Sequence, residues 1–296
     1  MSEPVFVRFW GTRGSIPTPG HKTRRFGGNT SCVEIRVGDL LLVCDGGTGL
    51  RELGLDLVAR GKPRLEAHLF FSHMHWDHIQ GFPFFVPAYA PTNDLYVYEV
   101  ASGDDRVQRL LHGQMRSEYF PVTFADLGAR IVGRHFEDGA TRFGAVRVRC
   151  LEQKHPGRSF AYAFEIDGRK IVYATDSELD LLLADPEGVL RDPDELRRLP
   201  DELVSFCRDA DLLIADGQYT DDEYPKKVGW GHARASTVVD LARQAGVKQC
   251  AIFHHDPMHT DDLVDQKIES VRQRLERAGS PCLVFGAREG LVLKLE

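Results

Sequence analysis

Short apolar runs recur along the chain, each closed by Gly, Pro, Asn or Asp. Residues 5–10 alternate with period two and predict a strand; residues 32–37 and 40–44 predict two more, turning at Gly38-Asp39. Residues 50–60 carry Leu50, Leu53, Leu57 and Val58 at helical spacing. Residues 69–72 read as a buried strand. Residues 81–91 are too rich in Pro for regular structure and too apolar to lie in water, so they are expected to cover part of a pocket or to form an oligomer contact. A helix is expected over 104–116, a strand-rich region over 129–150, and a hairpin over 160–166 and 170–174 across Asp167-Gly168.

From 178 to about 209 the pattern predicts a helical surface insert, broken at Asp185-Pro186 and Asp192-Pro193. Residues 211–215 form an apolar strand ending at Asp216, followed by a loop with Tyr219, Tyr224, Lys226, Lys227 and Trp230. A helix over 235–245, a strand over 248–253, an amphipathic helix over 261–278 and strands over 282–285 and 291–295 complete the chain. Strand and helix alternate in both halves without a linker, which predicts one domain over residues 1–296.

Composition narrows the class. With 42% apolar and 27% charged residues, the 296-residue chain can bury a sizeable core. A formal charge of −7 argues against broad nucleic-acid binding, which needs a basic face. The six cysteines are scattered without a CxxC pair, so they are expected to be reduced, buried thiols. The first ten residues lack the apolar block of a signal peptide, and no run reaches membrane-spanning length; a cytoplasmic protein is expected.

The chemistry concentrates in Ser72-His73-Met74-His75-Trp76-Asp77-His78, which follows the run Leu69-Phe70-Phe71. Histidine with carboxylate suits zinc or manganese. In extended backbone His73 and His75 share one face and can grip one ion, while Asp77 and His78, where the chain must turn, can face a second. Polar surface histidines are the bland alternative. Three later runs end alike: Leu151 leads to His155, Ala174 to Asp176 and Phe253 to His254. Each alone could be a core histidine or a capping aspartate, but strands of one sheet bring like ends to one edge. His255 rivals His254, which is preferred because it comes first after the strand. Asp45 reads as a helix cap. The loops 11–20 and 27–31 could cradle a phosphate or form two tight turns. His232 could be a capping histidine, or an acid whose tautomer is fixed by the carboxylate of Asp216.

The motif from His73 to His78 resembles the HxHxDH signature of metallo-β-lactamase-fold hydrolases. The resemblance implies an α/β fold, an αββα sandwich of two packed mixed sheets with helices outside. It implies two divalent ions, Zn2+ or alternatively Mn2+, with His73, His75 and His155 on one, Asp77, His78 and His254 on the other, and Asp176 bridging. Asp45 would then order the metal loops. Asp216 and His232 resemble the acidic residue–histidine pair of the ribonuclease Z and cyclic-phosphodiesterase branch, which makes Asp77, Asp216 and His232 the catalytic candidates. Phe9-Trp10-Gly11-Thr12-Arg13-Gly14-Ser15, Gly27-Gly28-Asn29-Thr30-Ser31-Cys32 and His254-His255-Asp256-Pro257 resemble small bacterial phosphodiesterases of this fold.

Two divalent ions, two carboxylates and one bridging hydroxide leave roughly one positive charge, which suits a phosphodiester. The expected activity is therefore hydrolysis of a small cyclic nucleotide or cyclic phosphate by the bridging hydroxide, with His232 as general acid. Arg13, Asn29, Thr30 and Tyr219 are the substrate-binding candidates. The alternatives are a ribonuclease Z-like endonuclease, although no long basic-tipped arm is evident, and a non-catalytic ligand-binding member of the fold. Nucleic acid is not the expected partner, no membrane is, and the apolar stretch 82–91 predicts a homodimer.

Overall fold

Alternation in the first run places Val5, Val7 and Phe9 on a fully buried face and builds strand β1 (Val5–Gly11). In this computed structural model residues 3–99, 106–136, 139–183 and 195–295 are described, and the chain divides into two compact units. The first unit comprises Met1–Pro19, Gly27–Asp138 and Arg288–Glu296. It adds β2 (Cys32–Val37), β3 (Leu40–Cys44), α1 (Gly49–Ala59), β4 (Glu66–Phe70), α2 (Trp76–Ile79), β5 (Asp94–Glu99), α3 (Arg106–Gln114), β6 (Arg130–His135) and a C-terminal strand, Val292–Leu295. Its seven strands run in the order C-terminal strand, β1, β2, β3, β4, β5, β6. Pairing is antiparallel as far as β3 and parallel from β3 to β6.

One face of this sheet packs Leu41, Val43, Ala67, Leu69, Leu95 and Val97 against the α1 stripe of Leu50, Leu53 and Leu57. Val58, expected in that stripe, is 55% exposed, because it lies one residue round the helix from Leu57. The stretch 81–91 forms two 3-10 turns, Phe82–Phe84 and Val86–Tyr89, and sends Phe82, Phe85 and Ala88 into the same core.

The second unit comprises Gly20–Phe26 and Gly139–Ala287. It contains β7 (Ala140–Phe143), β8 (Val146–Gln153), β9 (Ser159–Ile166), β10 (Arg169–Ala174), α4 (Asp201–Cys207), β11 (Leu212–Asp216), α5 (Ala235–Gln244), β12 (Gln249–Phe253), α6 (Asp261–Arg277) and β13 (Leu283–Gly286). The seven strands lie in the order β13, β12, β11, β10, β9, β8, β7, parallel from β13 to β10 and antiparallel beyond. The β9–β10 hairpin turns through Asp167 (φ 47°) and Gly168 (φ 83°), both left-handed as a type I′ turn requires. Helix α6 is capped by the Thr260 hydroxyl, with Asp261 and Asp262 in its first turn and Arg274 and Arg277 in its last, in keeping with the helix dipole.

The expected helical insert is smaller than its pattern. Only Leu179–Leu182, a 3-10 turn, and α4 are helical among its described residues, residues 195–200 are irregular, and residues 184–194 lie outside the described residues. All six cysteines are free thiols, five of them buried. No helix among the described residues is long and apolar enough to cross a membrane.

Candidate metal centre

Each sheet presents ligand-type residues at the carboxyl ends of its strands. In the first unit β4 stops at Phe70, two residues before the end expected from sequence, and residues 71–75 run without regular structure into α2. The His73 ring lies 4.4 Å from His75 and 4.3 Å from His78. The short helix α2 supplies Asp77 and His78, whose Oδ2 and Nε2 are 3.1 Å apart. Asp45 follows β3 in a left-handed conformation (φ 60°) that costs a non-glycine residue energy and so needs local support. Its carboxylate accepts the Ser72 amide (2.7 Å), the Ser72 hydroxyl (2.8 Å) and His78 Nδ1 (2.7 Å). Asp45 is therefore not a helix cap. Thr48 occupies the N-cap of α1, and Asp45 orders the histidine loop. The Asp77 carboxylate accepts the Ser15 amide at 2.7 Å.

Several amides of the loop 11–31 are taken up by carbonyls of the same loop. Those of Thr12 and Arg13 both donate to the Asn29 carbonyl, and that of Thr18 donates to Gly28. This is the tight-turn alternative, not a phosphate cradle. Arg13, expected at the substrate, is fully buried and donates to the Gly27 carbonyl (3.1 Å). Thr30 is also fully buried, its hydroxyl accepting the Thr48 amide (2.9 Å) and the Gln80 amide group (3.2 Å). Both side chains brace the loop. Asn29 is half-buried and bonded to Glu289.

In the second unit, β8, β10, β11 and β12 direct their carboxyl ends to one edge and deliver His155, Asp176, Asp216 and His254. Asp176 (φ 53°) and His254 (φ 57°) repeat the left-handed conformation of Asp45 just after their strands. His254 Nε2 lies 3.3 Å from Asp176 Oδ1, and His155 Nε2 4.0 Å from Asp176 Oδ2. His232 Nδ1 is bonded to Asp216 Oδ2 at 2.8 Å, and its ring stacks on that of His254 at 4.9 Å. Donor atoms of Asp176, Asp216, His232 and His254, all buried, lie within 4.8 Å of one another.

His255 turns the other way. Its Nε2 meets the Ala287 carbonyl (2.8 Å), and its ring meets the edge of Phe26 at 5.3 Å. Tyr219 is buried, with its ring 6.0 Å from that of His232. Burial, and then the neighbouring Asp216 carboxylate, hold the Tyr219 phenol well above its ordinary pKa, so it stays protonated.

The imidazole partners test whether a metal fits. His78 Nδ1 faces the Asp45 carboxylate, His155 Nδ1 the Gly231 carbonyl (2.9 Å) and His254 Nδ1 the Gln218 carbonyl oxygen (2.9 Å). Each acceptor takes the Nδ1 proton and leaves the Nε2 lone pair for a cation, the pattern of metal-binding histidines. The carboxylate and imidazole donors suit zinc or manganese.

Three supporting residues carry no sequence signal of their own. Gln218 orients His254. The buried Glu178 accepts the Tyr224 hydroxyl (2.9 Å) and the amides of Gly229 (2.6 Å) and Gly231 (2.8 Å), which fixes the loop before His232. Asp180 accepts the amide and guanidinium of Arg234 and the Thr237 hydroxyl. Gly231 (φ 91°) cannot be replaced, since a Cβ there would lie 2.2 Å from His155 Nδ1.

The profile of the Beta-lactamase superfamily domain matches residues 42–255. Ribonuclease Z of Haloarcula marismortui is 25% identical over 299 residues, covering 88% of this chain and 90% of that protein. Ribonuclease Z of Myxococcus xanthus is 25% identical over 286 residues, covering 86% and 88%. Among solved structures, the metallo-β-lactamase-fold protein YhfI of Bacillus subtilis superposes with a TM-score of 0.70 at 20% identity, over 99% of this chain and all of that one. Human tRNase Z, short form, gives 0.63 at 17% identity, over 97% and 98%. These likenesses bear out the expected αββα sandwich of two mixed sheets with helices outside. With the match spanning most of the chain and both sets of strand-end residues, the chain belongs to the β-lactamase superfamily and is a hydrolase of the metallo-β-lactamase fold.

Proposed function

We propose that the protein is a dinuclear metal-dependent phosphodiesterase acting on a small cyclic nucleotide or cyclic phosphate. His73, His75 and His155 would hold one divalent ion and Asp77, His78 and His254 another, with Asp176 available to both; Zn2+ is the first choice and Mn2+ the second. Bound divalent ions supply Lewis-acid charge and an activated water. The chain supplies the rest: Asp45, Gly231 and Gln218 hold the imidazoles in their ligating tautomers, and Asp77 orients.

The observation that carries the reading is the Asp216–His232 pair, 2.8 Å apart and within 4.8 Å of the donors of Asp176 and His254. Asp216 takes the Nδ1 proton and favours the imidazolium, so His232 can give its Nε2 proton to a departing alkoxide. The general acid is what a phosphodiesterase with a poor leaving group needs and simple metal binding does not.

A second reading, a ribonuclease Z-like RNA-processing endonuclease, is favoured by the curated relatives named Ribonuclease Z, which match 86–88% of the chain. Those names weigh against dismissing nucleic acid as a partner. The charge of −7 favours the small substrate. Turnover of cyclic mononucleotides, bis(4-nitrophenyl) phosphate and precursor tRNA by the metal-loaded protein separates these readings. Precursor tRNA cleaved in preference to cyclic nucleotides installs the second; metal bound in full with no ester cleaved leaves a ligand-binding protein. A homodimer through the exposed Phe84 (52%) and Val86 (41%) is part of the proposal and is checked by light scattering.

A further inference from the structure

The loop before His232 is built more rigidly than its surface position requires. Glu178 pins the amides on both sides of Trp230, those of Gly229 and Gly231, while the Trp230 amide donates to the Lys227 carbonyl (3.1 Å). The backbone is thus fixed on a buried carboxylate, yet the indole it carries is 58% exposed. Lys227 Nζ sits 4.0 Å from the Trp230 ring centre and 5.8 Å from that of Tyr219, whose ring lies 6.0 Å from that of His232. The ammonium is thus near both the indole and Tyr219, the ring that neighbours the proposed general acid. It is half-buried and has no carboxylate partner among the described residues. In a chain with seven more acidic than basic groups, a lysine held over two aromatic rings without a carboxylate counter-ion is a place for an anion.

We infer that Lys227 and Trp230 form a clamp for a nucleoside phosphate, with the planar base stacked on the indole and the phosphate drawn by the ammonium toward His232. The inference rests on the phosphodiesterase reading and deepens it by naming the substrate class as a nucleotide. Stacking on an aromatic ring tolerates any base, so the clamp selects nucleotides over sugar phosphates without choosing among bases. The cation over one face of the indole also holds the ring in one orientation.

The test compares the affinities of the metal-loaded protein for AMP and for ribose 5-phosphate by calorimetry. Both carry the same phosphate monoester, so the ratio isolates the base. Wild type should prefer AMP by about tenfold or more, Trp230→Ala should bring the ratio close to one, and Trp230→Phe, which keeps a ring, should restore most of it. Lys227→Met should weaken both ligands about tenfold. Equal affinity for the two ligands in wild type, or a ratio unmoved in Trp230→Ala, overturns the clamp. Diester hydrolysis without an AMP preference removes the clamp and leaves the reaction; an AMP preference without diester hydrolysis does the reverse.

Discussion

Replacing Asp216 by Asn probes the proposed general acid while keeping the shape of the site. Asp216 is 1% exposed, and its two oxygens divide their work: Oδ1 accepts the Gln218 amide (3.0 Å), and Oδ2 holds His232 Nδ1 (2.8 Å). An asparagine can keep the first bond through its carbonyl, but it then turns an NH2 toward His232. The imidazole must present a lone pair at Nδ1 and lose the stabilisation of its charged form. Loss of a charge-assisted hydrogen bond is worth about 1.5–3 kcal/mol, or roughly 10- to 150-fold in rate. The inverted tautomer adds to this, for a total of about 10²–10⁴. The loss should depend on the leaving group. A diester that releases an alkoxide needs the proton and should show the full effect, whereas bis(4-nitrophenyl) phosphate releases a stable phenolate and should lose far less. Steady-state kinetics on both substrates, with metal content measured for wild type and variant, reads this out. Equal losses on the two substrates at unchanged metal content would refute the assignment of His232 as an acid.

Asp77→Asn should abolish turnover with partial loss of metal, whereas His232→Ala should keep its metal and slow alkoxide release by about 10²–10⁴, both checked by metal analysis alongside kinetics. Chelation should lower the thermal midpoint, because ions that bind only the folded chain stabilise it in proportion to their occupancy; an unchanged midpoint denies the centre. Glu178→Ala leaves the Tyr224 hydroxyl and the Gly229 and Gly231 amides without their acceptor and should cost about 3 kcal/mol in denaturant unfolding. Burial lowers the pKa of His68, which lies between Tyr96 and Tyr98. Its contribution to stability is therefore present above the unfolded value of about 6.5 and is lost as pH falls through the lower folded one. His68→Phe should flatten the acid side of the stability curve.

Much of the centre was legible because its residues are close in sequence or sit where an apolar run ends. His73 to His78 declare themselves by spacing, and His155, Asp176 and His254 each follow a strand of the second sheet. The supporting residues were not legible. Gln218, Glu178 and Asp180 are isolated polar side chains outside the strands and long helices, and nothing in their neighbours reveals which imidazole, amide or guanidinium they meet. The contacts of Arg13 and Thr30 were hidden for the same reason, since a Gly-rich basic loop looks alike whether its amides face a phosphate or carbonyls of the protein.

By itself, the sequence determined most of the strands and helices, the presence of a metal-type donor set and its superfamily, because periodicity and local spacing survive without knowledge of long-range contacts. Only tertiary structure decided direction. A left-handed turn at His254 aims it at Asp176 and sends His255 to the Ala287 carbonyl. Asp45, adjacent to a helix start in sequence, is carried by strand pairing to Ser72 and His78. A side chain's partner is fixed by where the backbone points it and by what distant segment arrives there, and neither is written in the residues around it.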